Sequence, residues 1–454
     1  MNQPKNKVPA SPSKVLALGF LAIIITGACL LLLPFASEEG VRVTPLAALF
    51  TATSAVCVTG LTVINTAASY SLFGEIVILC LIQLGGLGFM LFATSVLVLA
   101  GKRISLRNRM LLHETMNMPG LSGTVRTTIR FMLIVLAAEL VGSILLALRF
   151  IPLYGFWKGS YYGVFHAISA FCNAGFDLFG SAGSLSQFQN EPYVLLTFSG
   201  LIIVGGLGFA VLADIMNSRF HFKRMMLHTK IVLVMTGILL AGGSFFFAAA
   251  EWNNPLTLAG SGMGPIEKVL NAWFQSVTTR TAGFSSFHQS GLRNASKLLS
   301  SLFMFIGASP ASTGGGIKVT TIFVLFALVR SVFNGRDEVH VFHRRLTPML
   351  VRTALSIFFI SLSLLAAGFV YMSFTEEVGG INAIDLLFEE ASALGTVGLS
   401  TAGTEKLGSN SQAWLIVLMY LGRIGPLTMM LSLTRRHASA MSGIRYPEEQ
   451  IIVG

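Results

Sequence analysis

Four short stretches of this chain align without gaps, and their glycines constrain the fold more than any other feature. They read Phe50-Thr-Ala-Thr-Ser-Ala-Val56-Cys57-Val58-Thr59-Gly60-Leu61, Phe165-His-Ala-Ile-Ser-Ala-Phe-Cys172-Asn173-Ala174-Gly175-Phe176, Trp273-Phe-Gln-Ser-Val-Thr-Thr-Arg280-Thr281-Ala282-Gly283-Phe284 and Phe388-Glu-Glu-Ala-Ser-Ala-Leu-Gly395-Thr396-Val397-Gly398-Leu399. Each places an aromatic residue ten positions before the glycine and a large apolar residue after it. Ser54, Ser169 and Ser392 share one column, which Val277 breaks. Gly283 follows Gly60, and Gly398 follows Gly175, at the same distance of 223 residues. A second glycine comes 24 to 30 residues later in each case: Gly85, Gly205, Gly307 and Gly422. A period of this kind marks duplication, and one unit is repeated four times.

The surroundings of these stretches are apolar. Only 11% of residues are charged, against about 25% in a soluble domain, while 53% are hydrophobic. A disordered chain is excluded, and a soluble globular enzyme is disfavoured. Eight apolar runs, near 15–35, 72–100, 131–151, 193–213, 231–250, 298–329, 351–374 and 412–432, are long enough to be spans, since a helix crosses a bilayer in about 20 residues. The first run is long and lacks a clear cleavage site, so it reads as a retained span. Each repeat is then span, re-entrant segment, span. The expected bounds are a leader at 1–14, repeats at 15–100, 131–213, 230–330 and 351–432, links at 101–130, 214–229 and 331–350, and a tail at 433–454.

Charge orients this arrangement. The net charge of +11 does not point to nucleic acid, because 21 of the 31 basic residues fall in the leader, alternate links and tail. All of these lie on one side of an eight-span chain. The positive-inside bias makes that side, and both termini, cytoplasmic. The opposite links carry acids such as Glu38, Asp177, Glu251 and Glu405. Cys29, Cys57, Cys80 and Cys172 lie scattered in apolar stretches, with neither disulfide nor zinc spacing.

The four short segments are the candidate site. Irregular backbone at membrane depth survives only when buried in protein or lining a water-filled cavity. Four equivalent segments converge on one axis, and backbone carbonyls after a short helix present oxygens to a dehydrated cation. The candidate filter residues are Val56, Cys57, Val58, Thr59 and Gly60; Cys172, Asn173, Ala174 and Gly175; Arg280, Thr281, Ala282 and Gly283; Gly395, Thr396, Val397 and Gly398. The expected fold is an all-α polytopic membrane protein with four span–re-entrant pore loop–span repeats in pseudo-fourfold arrangement around a central pore.

The sixth run carries the candidate gate. It is interrupted by Gly307-Ala-Ser-Pro310-Ala-Ser312-Thr313-Gly314-Gly315-Gly316-Ile-Lys318, which does not sit in a continuous helix. Lys318 and Arg423 are the basic residues deepest in their spans, and charge at that depth points to function. For Lys318, snorkelling to the cytoplasmic surface is the alternative.

On these residues, the sequence resembles the Trk/Ktr/HKT superfamily of potassium transporters, and within it the KtrB-type membrane subunits, from about residue 15 to the end. The resemblance implies K+ as the transported ion, bound at filter carbonyls, and Na+ as a possible activator. Sodium-favouring plant members carry serine at the first filter position; here Gly60, Gly175, Gly283 and Gly398 are all glycine, which implies potassium selectivity. It also implies an intramembrane gate at the broken span, a homodimer in the lipid of a prokaryotic cytoplasmic membrane, and a cytosolic KtrA-type ring of Rossmann-like subunits that binds ATP or ADP. No nucleotide-binding domain is readable in this chain, so that control is expected from a separate subunit. A sodium-selective or sodium-coupled cation carrier is the alternative.

Other motifs carry little. His113-Glu114 begins a zinc-protease pattern whose second histidine is missing. No nucleophile or metal cluster suggests an enzyme. His166 and Asn173 sit in a re-entrant segment, where packing or a wet vestibule is expected. Glu139 lies within the third span with no partner readable from sequence.

Overall fold

The computed structural model describes residues 12–88, 124–180, 184–260, 262–336, 338–342, 344–376 and 380–425. The leader to residue 11, most of the link at 101–130 and the tail at 433–454 lie outside them.

The described residues are mostly helical. Repeat 1 contains α1 (Pro12–Leu31), the short α2 (Pro45–Cys57) and α3 (Leu72–Leu87). Repeat 2 contains α4 (Thr124–Tyr154), α5 (Phe156–Phe171), α6 (Pro192–Leu207) and α7 (Phe209–Asn217). Repeat 3 contains α8 (Leu227–Glu251), α9 (Pro265–Thr278), α10 (Asn294–Phe305) and α11 (Val319–Phe333). Repeat 4 contains α12 (Pro348–Thr375), α13 (Ala383–Gly395) and α14 (Ser409–Ile424). Among the described residues the only sheet is a small hairpin, β1 (His340–Val341) with β2 (Arg344–Arg345).

Local chemistry starts these helices where they start. Pro45, Pro192, Pro265 and Pro348 each open a helix, a position where the missing N–H costs nothing. Thr44 Oγ1 accepts from Ala47 N at 3.2 Å ahead of α2, a side-chain cap for a donor the helix leaves free.

The first helix of each repeat (α1, α4, α8 and α12) is long and apolar enough to cross a membrane. Its outer face stays apolar and open: Leu133 is 61% exposed, Phe245 78% and Phe374 75%. In water such faces would be costly, whereas a bilayer covers them.

The second helices of repeats 1, 2 and 4 end at a glycine before the expected end of the run. α3 stops at Gly88, α6 at Gly208 and α14 at Gly425, all with nearly the same backbone angles, φ 78, 92 and 90 and ψ 128, 144 and 130. In repeat 2 the chain turns by 93° between α6 and α7. In repeat 3 the break widens into the loop between α10 and α11. Gly88, Gly208 and Gly425 each sit three residues after a glycine of the second column, whereas in repeat 3 the helix ends earlier, at Phe305, before Gly307. The interruption expected only in the sixth run is therefore present in repeat 2 as well; in repeats 1 and 4 the residues after Gly88 and Gly425 lie outside the described ones.

Inter-repeat packing runs in one direction and closes. α3 packs on α5, α6 on α9, α10 on α13, and α14 returns to α2. Between repeats 3 and 4, Lys297 Nζ meets Asp385 Oδ1 at 2.7 Å in a buried ion pair. Within repeat 2, Arg149 and Glu191 form a forked pair at 2.7 and 2.6 Å, but their side chains are 35% and 28% exposed. Pairs this wet contribute about 1 kcal/mol at most. Arg149→Ala is therefore expected to lower the Tm of the detergent-solubilised protein by about 2 °C or less. A loss near ten degrees in a thermal scan would show that the pair fastens α4 to α6.

Candidate functional site

The site begins where the four short helices end. Val58, Asn173, Thr281 and Thr396, each two residues before a column glycine, all turn left-handed, with φ 55, 59, 70 and 51. The glycines follow with φ 93, 70, 81 and 97. Two positive φ values within three residues make this turn a costly one for L-residues at the second position, and glycine removes that cost.

Hydrogen bonds fix the turn. Thr59 N, Ala174 N and Val397 N donate to Ser54 O, Ser169 O and Ser392 O, each at 2.8 Å. Gly60 N and Gly398 N donate to the hydroxyls of Ser54 and Ser392, both at 3.0 Å. Ser169 Oγ donates instead to Phe176 O at 2.8 Å. Where Val277 breaks the serine column, its neighbour takes over: Thr278 Oγ1 donates to Phe284 O at 2.5 Å, the carbonyl equivalent to Phe176 O.

The four turns meet in a closed ring. A Cβ placed on Gly60 would stand 2.5 Å from Ala174 O, and one on Gly175 would stand 2.9 Å from Ala282 O. Gly283 faces Val397 O in the same way, and Gly398 faces Thr59 O. The order 60, 175, 283, 398 thus returns to its start. Every glycine lies against the carbonyl oxygen of the residue before the next glycine. The ring forms the floor of a cavity of about 760 Å³, lined by all four glycines and by residues such as Asp177, Ser285, Ser400 and Thr404.

Beneath the ring lies the interrupted segment of repeat 3. Gly314 and Gly315 approach Thr281 Oγ1 and Thr396 Oγ1 so closely that a Cβ on either would collide. Both threonines are turn residues of the ring. The segment is held from several sides. Gly307 N donates to Ile317 O at 2.8 Å, Ser309 N to Gly206 O at 3.2 Å, and Phe209 N to Ala311 O at 3.0 Å. Ser312 Oγ donates to Ser309 O at 2.6 Å, and Thr313 Oγ1 to Phe171 O at 3.2 Å. Lys318 Nζ donates to Gly314 O at 2.7 Å and Gly315 O at 3.3 Å, so it caps its own loop rather than reaching for the surface. Arg423 donates to Thr313 O and to Gly85 O, and to Gly86 O at 3.2 Å. One guanidinium from repeat 4 thereby joins the loop of repeat 3 to the breakpoint of repeat 1. Gly316 has φ 68.

The structure therefore brings together every residue expected at the filter and at the gate. Val56 O lies against Gly85, as Phe171 O lies against Gly205 and Leu394 O against Gly422, so the two glycine columns are packing partners. In the third repeat Gly307 faces Gly315 O instead, because the loop occupies that place. Cys57, Cys172 and Arg280, three residues before their glycines, are buried. Gly395, which fills the same column in repeat 4, is buried against Met304 O. Glu139 finds its partner in Gln83 Nε2, at 3.1 Å.

Sequence reasoning missed one group. Nine residues before the glycines stand Thr51, His166, Phe274 and Glu389. His166 Nε2 accepts from Leu178 N at 3.2 Å. Glu389 accepts from Ser400, Thr401, Ala402 and Thr404. Both tie the chain just past the glycine to its own short helix. In repeat 3 the next position does so, Gln275 exchanging hydrogen bonds with Gln289 at 2.7 and 3.0 Å. The only signal in the sequence is the shared column, since the residue types differ.

Residues 10–443 match the TrkH family, described as cation transport protein. Similar proteins include the "Potassium/sodium uptake protein NtpJ" of Enterococcus hirae, 39% identical over 98% of this chain and 97% of that one. The "Ktr system potassium uptake protein B" of Bacillus subtilis is also 39% identical, over 98% and 97%. Among solved structures, the potassium transporter TrkH of Vibrio parahaemolyticus superposes with a TM-score of 0.72 at 18% identity, covering 95% of this chain and 87% of that one, which shows a shared fold. These matches run through all four segments of the ring and the loop beneath it, and by their extent this chain belongs to the TrkH family of cation transport proteins.

Proposed function

We propose that the chain carries potassium across the cytoplasmic membrane through the glycine ring, and that residues 307–318 gate it. The observation that carries this reading is the closed ring, in which each glycine admits a neighbouring carbonyl oxygen. Oxygens so arranged replace the hydration shell of a cation. The four short helices end at the ring, so their negative dipole ends face it and favour positive charge there. Potassium as the ion is supported by the names of the relatives, two of which are potassium uptake proteins.

The loop is the gate on this reading because it stands directly under two ring threonines, with Arg423 and Lys318 as its clasps. Opening requires it to leave Thr281 and Thr396. The basic links at 214–229 and 331–350 face the cytoplasm, and both termini lie there. The name "Ktr system" borne by relatives supports partnership with other components, which we take to be a KtrA-type nucleotide-binding ring acting on a homodimer of this chain.

The test is growth of a bacterium stripped of its potassium uptake systems. The chain is expressed with and without a KtrA-type partner, and external potassium is titrated in the presence and absence of sodium. Rescue at low potassium that improves with the partner is expected. Rescue that requires sodium would favour a sodium-coupled carrier. No rescue, with the chain present in the membrane, would overturn potassium uptake.

A further inference from the structure

Glu389 sits on α13 with its side chain fully buried. Its Oε1 accepts from Ser400 Oγ at 2.5 Å, Thr401 N at 3.1 Å and Ala402 N at 3.2 Å, and its Oε2 from Thr404 Oγ1 at 3.0 Å. Three donors converge on Oε1 and a fourth bonds Oε2, an arrangement that favours the ionised carboxylate. A buried carboxylate is stabilised by a cation or by a set of hydrogen-bond donors, and Glu251 is held by donors alone: Asn254, Thr257, Ser296 and the Arg293 N–H. Asp385, four residues earlier on the same helix, has Lys297. Glu389 forms no ion pair among the described residues.

The charge is not needed for tethering. In repeat 2 the same column position holds His166, whose Nδ1 bonds Tyr162 O at 2.7 Å. That carbonyl only accepts, so Nδ1 carries the proton and the neutral ring accepts from Leu178 N through Nε2. One repeat thus anchors the segment past its glycine with a neutral group and another with a carboxylate. All four residues that bond Glu389 line the cavity above the ring, so the carboxylate stands one residue layer behind the cavity wall.

We infer that Glu389 supplies the fixed negative charge that binds the permeant cation at the outer mouth of the ring. On this inference the transported ion serves as its counter-ion. The inference rests on the functional reading above. It assigns to repeat 4 the strongest share of cation attraction at the mouth, through a group that water and salt do not screen as they screen surface acids.

The experiment measures potassium uptake by cells expressing the full chain, with uptake normalised to chain in the membrane. Glu389→Gln keeps the shape and removes the charge; Glu389→Asp keeps the charge and shortens the tether. The apparent KM for potassium is expected to rise about fivefold or more in Glu389→Gln, with the maximal rate per molecule changed less than the KM, and to stay near wild type in Glu389→Asp. An unchanged KM in Glu389→Gln would overturn the inference. So would equal increases in both variants, because the tether rather than the charge would then be responsible. If Glu389→Gln does not accumulate, Ala402→Lys replaces it. This half-buried residue lines the same cavity, and its ammonium offsets the field of Glu389. Its KM is expected to rise similarly, and a wild-type KM there would overturn the inference. Absence of potassium uptake by the wild-type chain would instead overturn the functional reading, and this inference with it.

Discussion

Deleting Ser312–Gly316 is expected to raise potassium uptake by about tenfold or more and to make it insensitive to a regulatory subunit. The deleted residues include Thr313, whose carbonyl receives Arg423, and Gly314 and Gly315, whose carbonyls receive Lys318. Hydrogen bonds from charged donors contribute about 1.5–3 kcal/mol each. A net bias of about 1.4 kcal/mol toward the closed arrangement already restricts the open one tenfold. Removing the segment clears the space beneath Thr281 and Thr396 and releases both cations from it. Arg423→Gln is expected to act in the same direction with a smaller rise, since Lys318 still clasps the loop. Rubidium or potassium influx at saturating external ion measures both. Influx in the deletion equal to wild type, with and without the partner, would show that the segment is not the gate.

The second large effect is expected at the ring. Gly60→Ser has to place a side chain at φ 93, with its Cβ 2.5 Å from Ala174 O and 2.9 Å from the Gly175 Cα. Both atoms are backbone, and neither swings aside as the end of a side chain does. A left-handed L-residue costs about 1–2 kcal/mol, and the collision forces the first and second repeats apart. The ring widens or tilts, and its carbonyl oxygens no longer fit one dehydrated ion. The preference for potassium over sodium is expected to fall about tenfold. Gly40→Ser is the matched control, because Gly40 has φ 84 but nothing within 4 Å. It carries the backbone strain without the collision, and its ion preference is expected to stay at wild type. Identical potassium-to-sodium uptake ratios in Gly60→Ser and wild type would show that this glycine does not set selectivity.

The ring was legible in the sequence because its requirement falls on backbone. Only glycine meets it cheaply, so the same letter recurs four times at one register. The four first spans were legible for the same reason that lipid tolerates few alternatives to apolar side chains. The loop announced itself through Pro310 and its glycine run. The helix ends at Gly88, Gly208 and Gly425 did not, because a glycine in an apolar run serves close packing as readily as a turn of the chain. Gly85 and Gly205 do serve packing, three residues before the glycines that end their helices. The anchoring column was hidden for the opposite reason. His166 and Glu389 perform one task with different chemistry, so no residue identity marks it. Thr278 shows the same limit, taking over a serine's hydrogen bond from the adjacent position.

The return of α14 to α2 closes four unequal quadrants on a single polypeptide. A ring assembled from four identical subunits repeats every feature four times, and four loops would compete for the one space on the axis. Covalent linkage removes that constraint and lets the quadrants specialise. Among the described residues, the loop belongs to the third quadrant alone, while its arginine clasp and the anchoring carboxylate belong to the fourth. Opening on the proposed reading is then a single local event rather than a concerted one. Any steepness in the response to a regulator must arise between the two chains of the proposed dimer or in the regulator's own assembly, because a pore with one plug has no second plug with which to cooperate.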